Sequence, residues 1–239
     1  YQDGTPFFYL ADTHWFLSRE KWGESNVPGT DSQFKTAIDK RKEQGFTAIQ
    51  SHPDGHRLTM CNTGCTEIDL DKFRDYDQKV NYIAEQGLVH NMGIGAFHHT
   101  QEITAEGAER LGKYFAARYG AYPALWFTAQ EVDGPLDMPK EEQEAVWMGA
   151  SAAIEESDAY GQPQSVHMMP GVPKQQWAAQ PWHDWFMTQG GHGTVLSANH
   201  YKRYWDYAPT KPFLESENNY EGLYIGITDK SARNGAYKS

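Results

Sequence analysis

Short apolar runs alternate with longer amphipathic segments along almost the whole chain. The short runs have the length and composition of buried strands, whereas the longer segments repeat apolar residues at helical spacing. The pattern predicts strands over residues 6–10, 46–50, 88–94, 124–128, 164–167, 194–197 and 212–216. It predicts helices over residues 31–44, 71–86, 107–119, 140–156 and 182–188, with a further helix beginning near 231–233.

Strands that alternate with helices predict βα units and a parallel sheet. The strands are apolar throughout rather than at every second position, which is typical of strands buried on both faces. No glycine-rich phosphate loop follows the first strand, which disfavours a doubly wound nucleotide-binding sheet. Charged, polar and aromatic residues follow nearly every strand, as they do at the C-terminal face of a barrel. The predicted fold class is therefore α/β, a (β/α)8 TIM barrel, with residues 1–239 as one catalytic domain.

The spacing of the seven predicted strands leaves little chain for an eighth. We therefore expect a barrel that is incomplete at the C-terminus, with the eighth strand missing and the last βα unit truncated. The alternative is a closing strand over residues 223–227.

Composition narrows the range of partners. The chain has 239 residues, 21 Lys and Arg against 32 Asp and Glu, and a formal net charge of −11. This charge argues against nucleic acid and anionic membranes, which bind cationic surfaces. Mean hydropathy is −0.74, and no apolar stretch is long enough to span a bilayer. We predict a soluble protein without a cofactor, and the oligomeric state stays open.

Cys61 and Cys65 lie four positions apart in a segment that contains Gly and Thr. They could form a local disulfide, remain two thiols, or supply half of a zinc site, although no second pair completes a four-thiolate site. No signal-like segment precedes the first strand, so we expect any signal peptide to be absent or already removed. Together these features favour a secreted or periplasmic protein.

Two glutamates, Glu131 and Glu217, follow predicted strands at the positions where a parallel barrel presents side chains on its active face. Two carboxylates that face one another can cleave a glycosidic bond, one as proton donor and one as nucleophile or base. Glu215 competes with Glu217. Because side chains alternate along a strand, we expect the two to face the same way, with Glu215 one layer deeper. Glu221 could act from the following loop.

Further polar and aromatic residues follow the other strands and are candidates for binding sugar hydroxyls or lining the pocket. Asp12 could instead cap a turn. The candidate substrate-binding residues are Asp12, His14, Trp15, Gln50, His52, His98, His99, His167, Asn199, His200 and Tyr220. Five tryptophans in or near loops, Trp22, Trp177, Trp182, Trp185 and Trp205, suit a carbohydrate cleft but are individually common packing residues.

Histidines at strand ends can also hold a metal, so a metal-dependent barrel hydrolase using His52, His98, His167 and His200 is an alternative. We predict no metal, because the two closely spaced histidines usual at the end of the first strand in such enzymes are missing. A non-catalytic carbohydrate-binding barrel is a third possibility.

Several segments resemble the apiosidase-like glycoside hydrolases, family 140 and its relatives. The first is Asp3-Gly4-Thr5-Pro6-Phe7-Phe8-Tyr9-Leu10-Ala11-Asp12-Thr13-His14-Trp15. The others are residues 45–50, 114–119 with 124–126, and the segment 211–221, which carries Glu-Ser-Glu-Asn-Asn-Tyr-Glu. The resemblance implies a (β/α)8 glycoside hydrolase with Glu131 as acid/base and Glu217 as nucleophile. The family commonly has Asp, preceded by Gly-Gly, where this chain has Ala-Gln-Glu131.

The combined expectation is a retaining glycoside hydrolase that acts on a plant or algal cell-wall polysaccharide or oligosaccharide. Glu131, in a Trp-lined pocket, would protonate the leaving oxygen, and Glu217 would attack the anomeric carbon.

Overall fold

A computed structural model describes residues 3–171, 174–190, 192, 198–222 and 227–236. Its strands are β1 (Ala11–Thr13), β2 (Ala48–Ser51), β3 (Val89–Met92), β4 (Gly95–Ala96), β5 (Ala124–Phe127), β6 (Ala129–Gln130), β7 (Gln164–Ser165), β8 (Phe186–Gln189) and β9 (Phe213–Glu217). Its α-helices are α1 (Gln33–Glu43), α2 (Leu70–Glu85), α3 (Ala105–Tyr119), α4 (Lys140–Ser157), α5 (Gln175–Ala178), α6 (Ala198–Trp205) and α7 (Asp229–Ala236), and a 3₁₀ helix spans Phe97–Gln101.

All strand pairs in these elements are parallel, as predicted. Five strands form one sheet in the order β1-β2-β3-β5-β7, and β4–β6 and β8–β9 form two shorter pairs. A parallel bridge between His167 and Met187 joins the segment after β7 to β8. At the other end, Thr13 Oγ1 and Gln50 Nε2 donate to the Ser216 carbonyl, at 2.7 and 2.9 Å. The fold is α/β, and side-chain contacts link β9 to β1 and β2.

Local capping explains why the helices begin where they do. Ser32 Oγ accepts the Lys35 N–H at the start of α1, and Thr104 Oγ1 accepts the Gly107 N–H at the start of α3. A side-chain acceptor at this position satisfies an N–H that has no partner within the helix. The four long helices predicted over 31–44, 71–86, 107–119 and 140–156 are confirmed to within two residues at each end.

The largest apolar core lies where α3 and α4 pack on each other and on the sheet. Trp126, Trp147 and Phe115 are fully buried there. Gly112 permits the close approach of the two helices, because a Cβ at this position would lie 2.9 Å from the Ala150 carbonyl oxygen. Within the described ranges, no helix combines the length and apolarity needed to cross a membrane.

Strand β8 differs from the prediction. Residues 182–188 were expected to be helical because Trp182, Trp185 and Phe186 have helical spacing, and this is wrong. Phe186–Gln189 is strand β8, paired with Phe213–Glu217 through long-range contacts that override local spacing. The strand predicted over 194–197 lies outside the described residues, as do residues 223–226 of the alternative closing strand over 223–227. The first strand begins at Ala11 rather than within 6–10.

Cys61 and Cys65 are joined by a disulfide, which was one of the three alternatives. The loop that they close packs against the start of α3. A larger residue would not fit at Gly107, because a Cβ there would lie 2.2 Å from the Gly64 carbonyl oxygen. The bridge therefore fixes a loop beside the helix layer.

Candidate active site

The two predicted catalytic carboxylates lie at the C-terminal ends of their strands. Glu217 is the last residue of β9, and Glu131 directly follows β6. Glu131 has a φ of 49°, a left-handed conformation that non-glycine residues seldom adopt. Such conformations cluster at functional sites because the surrounding structure must hold them in place.

An irregularity in the β8–β9 pairing orients Glu217. Thr188 pairs with Glu215, but the next residue, Gln189, pairs with Glu217, so β9 contains one extra residue. Consecutive side chains of a strand point to opposite faces, so Glu215 follows Thr188 to one face and Glu217 follows Gln189 to the other. The expectation that both glutamates face the same way is wrong, because this bulge shifts the alternation. Glu215 instead accepts hydrogen bonds from Thr188 Oγ1 and from Tyr201 of α6, both at 3.1 Å.

Gln189 joins the two carboxylates. Its Nε2 donates to Glu131 Oε1 at 2.8 Å and to Glu217 Oε2 at 3.1 Å. These two carboxylate oxygens can therefore be no farther apart than about 5.9 Å. The geometry brings together two acids that are far apart in sequence, as the strand-end positions predicted.

Glu217 is the more buried of the two acids, with 3% of its surface exposed. Trp15 Nε1 and the Tyr220 hydroxyl both donate to its Oε1 at 2.9 Å. Burial raises the pKa of Glu217 to about 7, the hydrogen bond from Trp15 lowers it, and the charge of Glu131 raises it. Trp15 therefore contacts the carboxylate of Glu217, whereas a Trp-lined pocket was expected around Glu131.

His167 contacts both acidic residues. Its Nδ1 accepts the Glu131 N–H at 3.3 Å, so the ring proton is on Nε2, which lies 3.3 Å from Glu217 Oε2. Burial lowers the pKa of His167 to about 3, so the ring is neutral at physiological pH. This nitrogen is buried and has no hydrogen-bond partner among the described residues, so the neutral ring packs against the Glu217 carboxylate without adding a full charge.

His52 forms the wall behind Trp15. Its ring stacks on the indole with centroids 5.8 Å apart, and its Nε2 lies 3.4 Å from Gln130 Oε1. Burial lowers the pKa of His52 to about 4. Its contact with the residue preceding Glu131 places it within the site, although it touches neither carboxylate directly among the described contacts.

His98 and His99 position a loop. Both Nε2 atoms lie within hydrogen-bond distance of the Gly55 carbonyl, at 3.1 and 3.0 Å. His99 Nδ1 accepts the Ala96 N–H, so its Nε2 carries the proton and donates to Gly55. These histidines hold the segment after β2 against the 3₁₀ helix.

The residues predicted at the first two strands have protein partners. Asp12 forms an ion pair with Arg41 of α1, with 2.8 Å between Oδ2 and Nε. Gln50 is buried, accepts a hydrogen bond from Asn91 at 2.8 Å and donates to Ser216 O. His14 is half-buried, and burial lowers its pKa. Gln50 thus helps to fix β9, whereas Asp12 holds α1 against β1.

Asn199 and His200 lie in helix α6. Asn199 is exposed, and His200 Nδ1 is 2.8 Å from Arg203 Nη2 and packs on Tyr201 and Tyr204. The contacts described for His200 are thus with its own helix. Within the described residues, no group of three or more His, Cys, Asp or Glu side chains has an arrangement that could hold a metal ion.

Two residues near the carboxylates were not predicted, Gln189 and His192. His192 Nε2 lies 3.7 Å from Glu217 Oε1. Gln189 was overlooked because its strand was expected to be a helix. The Gly190-Gly191 pair that follows a short run ending in Thr188 is a signal of a strand end that could have revealed it.

Comparison with known proteins places this geometry in context. The family described as "Apiosidase-like, catalytic domain" matches residues 1–239. A solved glycoside hydrolase family 5 structure from Bacteroides vulgatus is similar at a TM-score of 0.75 and 18% identity, over 100% of this chain and 56% of that one. A putative glycoside hydrolase from the same organism is similar at 0.62 and 15%, over 89% and 44%. No curated protein matches the chain.

Proposed function

Because the chain belongs to the apiosidase-like catalytic-domain family of glycoside hydrolases, we propose that it hydrolyses an O-glycosidic bond with retention of anomeric configuration. The chain spans 56% of the length of the family 5 glycoside hydrolase it resembles, so the activity of the whole protein is part of this proposal. The proposed catalytic residues are Glu131 and Glu217.

The separation of the two carboxylates carries the proposal. Retaining glycosidases place their two carboxyl groups about 5–5.5 Å apart, whereas inverting enzymes leave about 6.5–9.5 Å for a water molecule. The shared contact with Gln189 limits the facing oxygens of Glu131 and Glu217 to about 5.9 Å. This upper limit for the facing oxygens lies below about 6.5 Å, where the inverting range begins, and it therefore supports direct attack by one carboxylate.

The hydrogen bonds support Glu217 as the nucleophile. Trp15 and Tyr220 donate to Oε1 and Gln189 donates to Oε2, so both oxygens are held, and the bonds from Trp15 and Tyr220 oppose the rise in the pKa of Glu217 that burial causes. Glu131 is half-buried and accepts a hydrogen bond on Oε1 from Gln189. We assign it the proton transfers, which require access to the leaving group and to water.

The reaction then has two steps. Glu131 gives its proton to the glycosidic oxygen while Glu217 attacks the anomeric carbon, so the C–O bond to the leaving group breaks as a glycosyl-enzyme ester forms. Glu131, now ionised, takes a proton from water. The water oxygen attacks the anomeric carbon, which releases Glu217 and the sugar with its original configuration.

We further infer that the strands belong to a (β/α)8 barrel. The linked series from β1 to β9, the bridge at His167 and Met187, and the contact of Thr13 with Ser216 support a sheet that curves back on itself. The proposed substrate is a plant or algal cell-wall polysaccharide or oligosaccharide, on the basis of the family. The Cys61–Cys65 disulfide supports an oxidising, secreted or periplasmic location.

A screen of pectic, hemicellulosic and algal oligosaccharides, with the first-formed anomer followed by proton NMR, tests the proposal. We expect retention, and first-formed product of inverted configuration would refute it. If the protein binds a sugar saturably but turns over none of the substrates, the non-catalytic alternative would be supported.

Two variants separate the roles of the acids. Glu217→Gln should lose activity on all substrates because no nucleophile remains. Glu131→Gln should lose about 10²- to 10⁴-fold on natural substrates but much less on an aryl glycoside, whose leaving group needs no protonation. Glu221→Gln is the control. Because Glu221 is exposed, this variant should retain full activity. The reverse pattern for Glu131 and Glu217 would exchange their roles.

A further inference from the structure

Glu215 is a largely buried carboxylate that the proposed reaction does not use. It lies on the face of β9 opposite to Glu217, in the layer between the β8–β9 pair and helix α6. Aromatic side chains make up much of this layer, since Tyr201 and Tyr204 of α6 both stack on Phe213 of β9. The hydrogen-bond donors to Glu215 in the described part of the chain are hydroxyls and backbone N–H groups, and none is a cation. A buried carboxylate without a cationic partner costs free energy, so its presence here requires an explanation.

The carboxylate of Glu215 bonds to both neighbours of Gln189. Its Oε2 accepts a hydrogen bond from the Thr188 hydroxyl at 3.1 Å, and its Oε1 accepts the Gly190 N–H at 2.9 Å. The same N–H also donates to the Glu217 carbonyl at 2.9 Å. Glu215 therefore holds the end of β8 on both sides of the residue whose amide reaches the two proposed catalytic acids.

The bulge in β9 is fixed by further contacts. Ser216 is the extra residue, because the residues on either side of it pair with consecutive residues of β8. Its hydroxyl donates to the Thr188 carbonyl at 2.7 Å, and its carbonyl accepts hydrogen bonds from side chains of β1 and β2. These contacts hold the extra residue itself. Beyond it, the Gly190 N–H is shared between the Glu217 carbonyl and the Glu215 carboxylate, so Glu215 adds a side-chain contact where backbone pairing resumes.

Gln189 carries this arrangement to the active site. Its side chain lies on the opposite face of β8, and its Nε2 donates to one acid at 2.8 Å and to the other at 3.1 Å. A shift of about 1 Å away from the acids would take both contacts beyond hydrogen-bond range. A misplacement of this size can cost about 10²-fold in rate. The backbone position of Gln189 therefore decides how the two acids are held.

The contacts of Glu215 do not require that it be ionised. Burial raises its pKa to about 7, and the hydrogen bonds from Tyr201, Thr188 and Gly190 lower it. The two hydroxyls can accept as well as donate, so they stay bonded when Oε2 carries a proton, while Oε1 still accepts from Gly190. A glutamine at this position can make the same contacts, with its oxygen toward Gly190 and its NH₂ group toward the hydroxyls.

We propose that Glu215 is a positioning residue for the hydrolysis. Its carboxylate fixes Thr188 and Gly190, and through them it holds the Gln189 amide between the two catalytic acids. The inference rests on the proposed function for the reaction that is served. The position of Gln189 can be measured without turnover, so the two can fail separately.

Exchange of the Gln189 side-chain amide protons with water tests the proposal without a substrate. Protein labelled with [¹⁵N]glutamine gives these resonances, which are assigned by their loss in Gln189→Leu, and saturation transfer from water measures their exchange rate. Glu215→Leu removes the contacts and Glu215→Asp withdraws the carboxylate by one methylene, so each should raise the rate at least about tenfold. Glu215→Gln should keep the rate within about twofold of the unmodified protein, because it keeps the pattern of donors and acceptors.

Glu144→Leu is the matched control for the loss of a buried carboxylate. Glu144 is 3% exposed and accepts hydrogen bonds from Lys174 and Trp177, which belong to neither β8 nor β9. This variant should lower the midpoint of thermal unfolding without changing the exchange rate of the Gln189 amide. Unchanged exchange in the Asp and Leu variants of Glu215, or an equal rise in Glu144→Leu, would overturn the inference. If Glu215→Leu does not fold, the comparison of Glu215→Asp with Glu215→Gln decides.

Kinetics on a substrate that is hydrolysed give the second test. We expect Glu215→Leu to lower kcat about 10- to 100-fold with little change in KM, because the acids are misplaced while the substrate is still bound. Glu215→Gln should recover most of this loss, and equal losses in the two variants would overturn the inference, because the contacts and not the charge are proposed to act. A protein that hydrolyses no substrate would refute the proposed function and leave the exchange experiment to decide this one. An active enzyme in which Glu215→Leu leaves the Gln189 amide protected would overturn this inference alone.

Discussion

Gln189 is the residue whose replacement tests the site most directly. Its single Nε2 donates to both Glu131 and Glu217, so Gln189→Leu removes two hydrogen bonds to carboxylates while keeping a side chain of similar size. The variant leaves two carboxylates facing each other without the donor between them. We expect this to disfavour the state in which both are ionised.

The structure gives the magnitude of this effect. A hydrogen bond to a charged group contributes about 1.5–3 kcal/mol. At this upper limit of about 5.9 Å, two unit charges repel by about 3 kcal/mol at an effective dielectric constant of about 20. Since one pKa unit corresponds to about 1.36 kcal/mol, loss of the donor should raise the pKa of Glu217 by about one to two units.

The pH dependence of kcat/KM is the assay. Glu217 must be ionised to attack, so activity of the unmodified protein should be lost as the pH falls through about 7, the pKa to which burial raises this carboxyl. In Gln189→Leu the pH below which activity is lost should move to about 8–9. At pH 6 the variant should therefore lose about 10- to 100-fold in kcat/KM, with partial recovery at higher pH.

A matched substitution separates this effect from a loss of packing. Gln164→Leu replaces a fully buried glutamine of neighbouring strand β7, whose Nε2 donates to Ser151 O at 2.9 Å and not to either carboxylate. It should lower stability without moving the pH profile. A Gln189→Leu profile that is uniformly lower but unshifted would refute the argument that Gln189 acts through the charge of Glu217.

Two further predictions concern stability. Replacing Cys61 and Cys65 with serine should lower the free energy of unfolding, measured in urea, by about 2 kcal/mol, because the bridge closes a short loop. The value of kcat/KM should stay unchanged, and a loss of activity in this variant would show that the loop is coupled to the active site. Thermal stability should rise from about pH 4 to 6.5, because five buried histidines with lowered pKa bind protons only when unfolded; three buried carboxyls with raised pKa oppose this rise over the same range, so the curve should level off near pH 7. A continuous fall from pH 4 would contradict neutral burial of the histidines. The groups are His52, His90, His99, His167 and His183, and Asp54, Glu215 and Glu217.

Elements with local signals could be predicted from the sequence. The cap at Ser32 and the apolar spacing of Phe34 and Ile38 define α1 without reference to the rest of the chain. The apolar run that became Ala124–Phe127 likewise has the composition of a buried strand. Because this strand could be predicted, Glu131 could be placed just beyond its C-terminal end. For this reason Glu131 and Glu217 could be proposed as a pair of glutamates at strand ends.

Features set by long-range pairing could not be predicted in this way. The aromatic spacing around Trp182 and Trp185 suggests a helix, and only the partner strand β9 makes Phe186–Gln189 a strand. Gln189 could therefore not be identified as a site residue from the sequence pattern. The ion pair of Asp12 could not be predicted for the same reason. Its partner Arg41 lies on helix α1, and a sequence pattern does not specify how that helix packs against the strands.

The orientation of both acids depends on departures from regular strand geometry. A regular β9 would direct Glu217 to the same face as Glu215, and the extra residue opposite Gln189 reverses this. Glu131 is directed by its left-handed backbone, which His167 holds by accepting the Glu131 N–H on its ring and the Val132 N–H on its carbonyl, at 3.3 and 3.0 Å. The opposite ring nitrogen of His167 lies against Glu217, so one neutral side chain fixes the backbone of one acid and contacts the carboxylate of the other. Alternation along ideal strands cannot reveal such an arrangement, because it depends on where the alternation fails.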